Sequence, residues 1–234
     1  MSILYEGPSL LDGKPIVVIM TGGHDEKKSQ NAKTGAMAQV YILRRDMFPT
    51  EAVKNGEDSS ICGTCPHRPA TGGSCYVNTG QAPFAIYKAY KNSSHNQCDP
   101  AVAGEGLSVR LGAYGDLVAP DSLWWAIASR AKNRTGYTHL AASRPGLKGL
   151  VMASADSEEE ALKYQSEGWK TFRVKSHEDP LLPGEIYCPS ETHGVQCIDC
   201  NLCNGSKSNI VINVHGNKSK INNFNKWNHK NVTI

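Results

Sequence analysis

The sequence predicts an α/β fold of parallel β–α units in a single domain. Three observations lead there. Apolar, β-branched runs alternate with helical patterns through the middle of the 234-residue chain. Polar residues gather at the carboxyl ends of those runs, where parallel folds collect their ligands: Gly115 and Asp116, Ser154 and Asp156, Arg173 and Lys175, and His215. Length and composition, 39% hydrophobic and 20% charged, suit one sizeable core.

Residues 15–20, "PIVVIM", read as a buried strand, and residues 38–44, "AQVYILR", as another. The polar, Gly-rich loop between them is too long for a tight hairpin. Its Lys33-Thr34-Gly35 step fits no phosphate-loop spacing and reads as solvated. Residues 82–91 form a helix opened by Pro83, and residues 106–116, "GLSVRLGAYGD", a strand running into a Gly-rich end. Residues 120–132 form a helix that Asp121 can cap, with Leu123, Trp124, Ile127 and Ala128 on one face. Residues 136–143 and 147–156 are strand-like. Residues 157–168 are a helix with acidic residues in its first turn and Gly168 past its end. Strands at 171–176 and 208–216 follow. The domain is expected to span 1–216. Residues 217–234, rich in Asn and Lys with Phe224, Trp227 and His229, read as a flexible or loosely docked tail and a candidate nucleic-acid arm.

The net charge, +3, is too mild to argue for nucleic acid by itself. The first 20 residues lack a basic start, a long apolar centre and a cleavage site, which predicts a cytoplasmic protein with no membrane span. In a reducing compartment, eight cysteines are metal ligands or catalytic groups more often than disulfides.

Seven of the eight fall in two clusters. The loop at 61–78 carries Cys62-x2-Cys65-x9-Cys75, and the segment 188–203 carries Cys188-x8-Cys197-x2-Cys200-x2-Cys203. Two-residue gaps let neighbouring thiolates converge on one centre. The second cluster has enough thiols to close a tetrahedral zinc site. The first has three, so either Cys98, His67 or His95 completes a zinc site, or the centre is left open. A [4Fe–4S] cluster on three thiolates keeps one iron free for an external ligand.

With its cysteine loop ending "SCYVN", the strand end "VRLGAYGD", the segments "GYTH", "LVMASAD" and "GWKTFRV", and the closing "CPS…CIDCNLC", the chain resembles the radical S-adenosylmethionine superfamily. It is most similar to a group of phage proteins with partial barrels of that type. The resemblance covers roughly residues 60–205 and implies a partial, incomplete parallel β/α barrel. It implies Cys62, Cys65 and Cys75 as ligands of a [4Fe–4S] cluster that chelates S-adenosylmethionine. Gly115 and Asp116 would meet the methionine amine, and Ser154, Asp156 and Arg173 the ribose or the methionine carboxylate. Cys188, Cys197, Cys200 and Cys203 resemble an auxiliary-cluster segment. Asp116, Tyr137 and His139 are the catalytic candidates toward an unknown substrate, in the host cytoplasm if the chain is phage-encoded. The family's loop is spaced C-x3-C-x2-C. Here the insertion "PHRPATGGS" separates Cys65 from Cys75, and Gly72 and Gly73 would let it fold back.

Two other readings stand beside this one. One is a zinc-stabilised nucleic-acid-binding protein of a phage or mobile element, using the tail and the basic stretch Arg130–Arg134. The other is an iron–sulfur protein of electron transfer or structure, without S-adenosylmethionine.

Overall fold

The computed structural model describes residues 1–92 and 97–231. The strands are β1 (Ser2–Pro8), β2 (Pro15–Thr21), β3 (Ala38–Arg44), β4 (Ser108–Tyr114), β5 (Asn133–Thr138), β6 (Met152–Ala155), β7 (Thr171–Lys175), β8 (Glu185–Tyr187) and β9 (Asn209–Asn213). The helices before β6 are α1 (Pro49–Asn55), α2 (Ser59–Cys62), α3 (Ala82–Asn92), α4 (Pro100–Gly104) and α5 (Asp121–Arg130). Those after it are α6 (Glu158–Ser166), α7 (Pro189–Thr192), α8 (Cys197–Cys200) and α9 (Lys218–Asn231).

Among the described residues the strands form one open sheet in the order β1-β2-β3-β4-β5-β6-β7-β9-β8. β1, β2 and β3 pair antiparallel, and every later pairing is parallel. The expected α/β class and parallel sheet are therefore present, with an antiparallel flank added. β2 lies between two neighbours and is covered on both faces, which is why Ile16–Met20 is continuously apolar and buried.

Side chains of a strand alternate between its two faces. In β4, Val109 and Leu111 pack into the core, while Arg110 and Gly112 face a cavity. The same parity turns Thr135 and Tyr137, Ser154, Phe172 and Ile212 to that cavity from β5, β6, β7 and β9. The β3–β4 register slips between Gln39 and Tyr41, where Gln39 pairs with Arg110 but Tyr41 pairs with Tyr114. Gly112 takes a φ of 71° inside this irregularity. Such a bulge bends a strand and re-aims its end. Gly115, at φ 81°, passes so close to Ile42 that an added Cβ would lie 2.8 Å from its Cβ. Only glycine fits there.

Several sequence expectations are corrected. β5 starts at Asn133, earlier than the expected strand, and stops at Thr138. The backbone N–H of His139 leaves the ladder to bond Asp116, and Pro145 opens a 3-10 turn beyond it. Asp121 is the first residue of α5 rather than its cap, and pairs with Arg144. The loop between β2 and β3 is not simply solvated: the Lys33 carbonyl accepts the Cys197 N–H at 2.8 Å, and the Ala32 carbonyl accepts from Gln196.

The expected loose tail is α9. Phe224 is 1% exposed and stacks on His67, with ring centroids 5.5 Å apart. Lys220 and Asn223 donate to the carbonyls of Gly73 and Gly72. Helix α9 therefore clamps the first cysteine loop, and Phe224 is buried against it instead of standing on a free tail. The side chain of His229 lies outside the described residues. Of the basic stretch, Arg130 pairs with Glu105, and Arg134 donates to the carbonyls of Gly149 and Leu150. No helix among the described residues is long and apolar enough to cross a membrane.

Candidate functional site

The first cysteine loop starts at the end of α2. Gly63, at φ 58°, turns the chain out of the helix, and the Cys65 N–H reaches back to the Cys62 carbonyl at 3.2 Å. The insertion then folds on itself, as its glycines suggested. The Gly73 N–H bonds the Arg68 carbonyl at 3.0 Å, and the Cys75 N–H bonds the His67 carbonyl at 2.8 Å. The pinch returns Cys75 to the neighbourhood of Cys62 and Cys65. Arg68 fixes the base of the loop, donating to Asp58 Oδ1 at 2.6 and 3.2 Å and to the carbonyls of Gly63 and Gly56. Asp58 is fully buried.

The second set hangs on β9, on β5 and on the β2–β3 loop. The Cys188 N–H bonds the Val211 carbonyl at 2.9 Å, and the Cys203 carbonyl accepts the Gly136 N–H at 3.3 Å. Asn201, in the left-handed region at φ 52°, ends α8 between Cys200 and Cys203. Asparagine tolerates that conformation better than most residues.

Both sets line one cavity of about 350 Å³. All seven clustered cysteines reach it, and all eight cysteines are free thiols. Burial pushes the Cys62 thiol well up, and the nearby Cys65 and Cys75 push it further. Burial raises Cys75 as well. Cys203 is pushed up to about 12 by burial, with Cys188, Cys197 and Cys200 adding to it. Each set is thus a group of thiols close enough to oppose one another's ionisation. A soft cation at each would reverse that, because metal coordination deprotonates a thiol. The first set offers three thiols and the second four, but among the described residues neither set brings three donor atoms within 4.8 Å of one another, as His67, His139 and Asp156 do. Cys98 is not among them; it sits away from the cavity, its Sγ 3.6 Å from the Asp99 carbonyl. His95 lies outside the described residues.

The other sequence candidates divide. Gly115, Asp116, Tyr137, His139, Ser154 and Asp156 all line the cavity. Asp116 does so as a brace: Oδ2 accepts the His139 N–H at 2.8 Å, Oδ1 accepts the Leu117 N–H at 2.7 Å, and its own N–H bonds the Ile61 carbonyl. It ties the ends of β4 and β5 to the cysteine loop. Burial, with Cys203 beside it, pushes the Tyr137 hydroxyl well above its ordinary range, and the residue belongs to the second set. Arg173 is a correction. Its neighbours Phe172 and Val174 line the cavity, so by strand parity it points to the opposite face. There its guanidinium is buried against Glu185 at 2.6 and 2.7 Å. Lys175 shares that face and donates to the carbonyls of Ser176 and Asp179.

Beside the first set lies a polar cluster. His139 Nε2 is 3.2 Å from Asp156 Oδ2 and 3.8 Å from Cys65 Sγ, and His67 Nε2 is 2.9 Å from Asp156 Oδ1. Burial opposes the charge on His139, but Asp156 outweighs it and holds the imidazole protonated well above its ordinary range. Burial likewise raises Asp156, yet the two imidazoles prevail and hold its carboxyl far below the usual range.

Sequence reasoning named His67 only as a possible fourth zinc ligand, and passed over Arg110 and the packing of α9. Arg110 is a cation on the cavity wall whose buried Nε has no hydrogen-bond partner. Its signal was available: a basic residue in mid-strand between buried Val109 and Leu111 must face a polar space. No family model matches the chain, and neither do any curated protein or solved structure.

Proposed function

We propose that this protein is an iron–sulfur protein of the radical S-adenosylmethionine type. Cys62, Cys65 and Cys75 would hold a [4Fe–4S] cluster with one open iron, and Cys188, Cys197, Cys200 and Cys203 a second centre. The observation that carries the reading is that a three-thiol and a four-thiol set line one cavity over a face of the largely parallel sheet. Three thiols leave a coordination position for a ligand, and the cavity, about 350 Å³, is in the range that takes a small molecule. When bound, such a cluster supplies one-electron chemistry to a sulfonium and so starts reactions at unactivated C–H bonds.

The chain's own residues have plainer tasks. Asp116 fixes the backbone of His139. Asp156 holds the His139 ring in place near Cys65, and Arg110 offers a positive charge to an anionic group in the cavity. Helix α9 covers the loop and excludes water from one side. The test is turnover of S-adenosylmethionine by the anaerobic, reduced protein. The reading expects formation of 5′-deoxyadenosine, lost in Cys75→Ala. An iron-containing protein that neither binds nor cleaves S-adenosylmethionine would reduce it to an electron-transfer or structural one.

A further inference from the structure

His67, His139 and Asp156 are brought together from three separate places: the folded-back insertion, the residue after β5 and the residue after β6. One ligand atom from each lies within 4.8 Å of the others. Asp156 is 4% exposed, and the imidazole of His67 lies beneath Phe224 and Trp227.

The contact between His67 and Asp156 is the informative one. Nε2 lies 2.9 Å from Asp156 Oδ1, yet this buried nitrogen makes no hydrogen bond, because the carboxylate is off the line of a ring N–H. On the other side of the ring, Nδ1 is 2.6 Å from Ser74 Oγ. With Nδ1–H donating to that hydroxyl, Nε2 carries a lone pair beside a carboxylate oxygen. Two acceptors held at that distance repel unless a proton or a metal ion sits between them. An imidazole oriented through one nitrogen, with the other free, is also the usual arrangement of a metal-ligating histidine.

We propose that His67, His139 and Asp156 form a mononuclear site for a divalent first-row transition ion, separate from both thiol sets. Two imidazole nitrogens and one carboxylate suit zinc, iron(II) or manganese(II), while magnesium and calcium prefer sites made of oxygen alone. The site shares no ligand with the cysteines, although Cys65 Sγ is 3.8 Å from His139 Nε2. Its supports are in place: Ser74 on His67, and Asp116 on the backbone of His139. The proposal does not depend on what the thiols hold.

Cobalt(II) tests it in the full-length protein. Ions on thiolates give an intense near-ultraviolet charge-transfer band, whereas an ion on nitrogen and oxygen gives only weak visible absorption. Titration of anaerobic protein is expected to show one further ion of the second kind. Asp156→Asn and His67→Gln should each abolish it, and Cys75→Ala and Cys203→Ala should keep it. Absence of that ion in the unmodified protein, or its retention in both His67→Gln and Asp156→Asn, overturns the proposal and leaves a hydrogen-bonded relay. Should the variants fail to fold, cobalt-soaked crystals of the unmodified protein decide between the two. An anomalous peak among the three side chains supports the site, and its absence overturns it.

Discussion

The two cysteine sets line one cavity, and they are built differently. The first stands on buried charge: Arg68 spans Asp58 and two carbonyls, and a fold-back of nine residues returns Cys75 to its partners. Titratable neighbours, His139, Asp156 and His67, stand beside it. The second set has four thiols on short turns, held to the sheet mainly by backbone hydrogen bonds, with a tyrosine hydroxyl on Cys203. The fourth thiol can saturate a centre, while the missing one leaves a position that only a ligand or a neighbouring side chain can fill. Under the proposed reading, that difference would separate a closed centre from a reactive one.

The largest effect should come from the buried charge under the first set. Asp58→Ala leaves the largely buried Arg68 without its carboxylate, at a cost on the order of 3 kcal/mol. In denaturant melts this variant should be the least stable, and metal analysis should show loss at the first set with the second retained. Equal loss at both would mean that the sets are not separately supported. Phe224→Ala comes next, at about 3 kcal/mol, since it empties a fully packed ring position on α9. Alkylation of the metal-free protein should speed up at Cys65 and Cys75 and stay unchanged at Cys200. Tyr137→Phe removes the hydroxyl on Cys203 and should cost about 1 kcal/mol, with no change in first-set alkylation.

The smallest effect is expected at Glu57, beside the first loop. Lys14 and then Arg44 hold its carboxyl below the ordinary range, with burial opposing them. A depressed carboxylate stabilises the fold above its unfolded value of 4.5, and the contribution is lost as pH falls through the lower folded value. Glu57→Gln should therefore trail the unmodified protein in thermal melts near neutral pH and match it in acid. A gap that persists in acid would point to packing instead of charge.

Much of the fold was legible in the sequence because strand alternation and helix caps are local. β2, β3, β7 and α6 fall within a residue or two of their expected spans. The two cysteine sets were legible too, from spacing alone. What escaped was long-range. Nothing local links Phe224 to His67, or Lys33 to Cys197, so α9 read as a tail and the β2–β3 loop as solvated. Arg173 was misplaced because its position at a strand end was considered without its parity. The His67–Asp156 contact depends on the fold-back of the insertion, which no spacing rule encodes.

The central claim is that two separate thiolate centres, the first of them open, share one cavity. Iron, zinc and acid-labile sulfide content of anaerobically purified protein tests it most directly, with Cys75→Ala and Cys203→Ala alongside. Iron with matching sulfide is expected in the unmodified protein. Each variant should lose the share of one centre and keep the other. Colourless protein with stoichiometric zinc and no sulfide, or complete loss in either single variant, would contradict it.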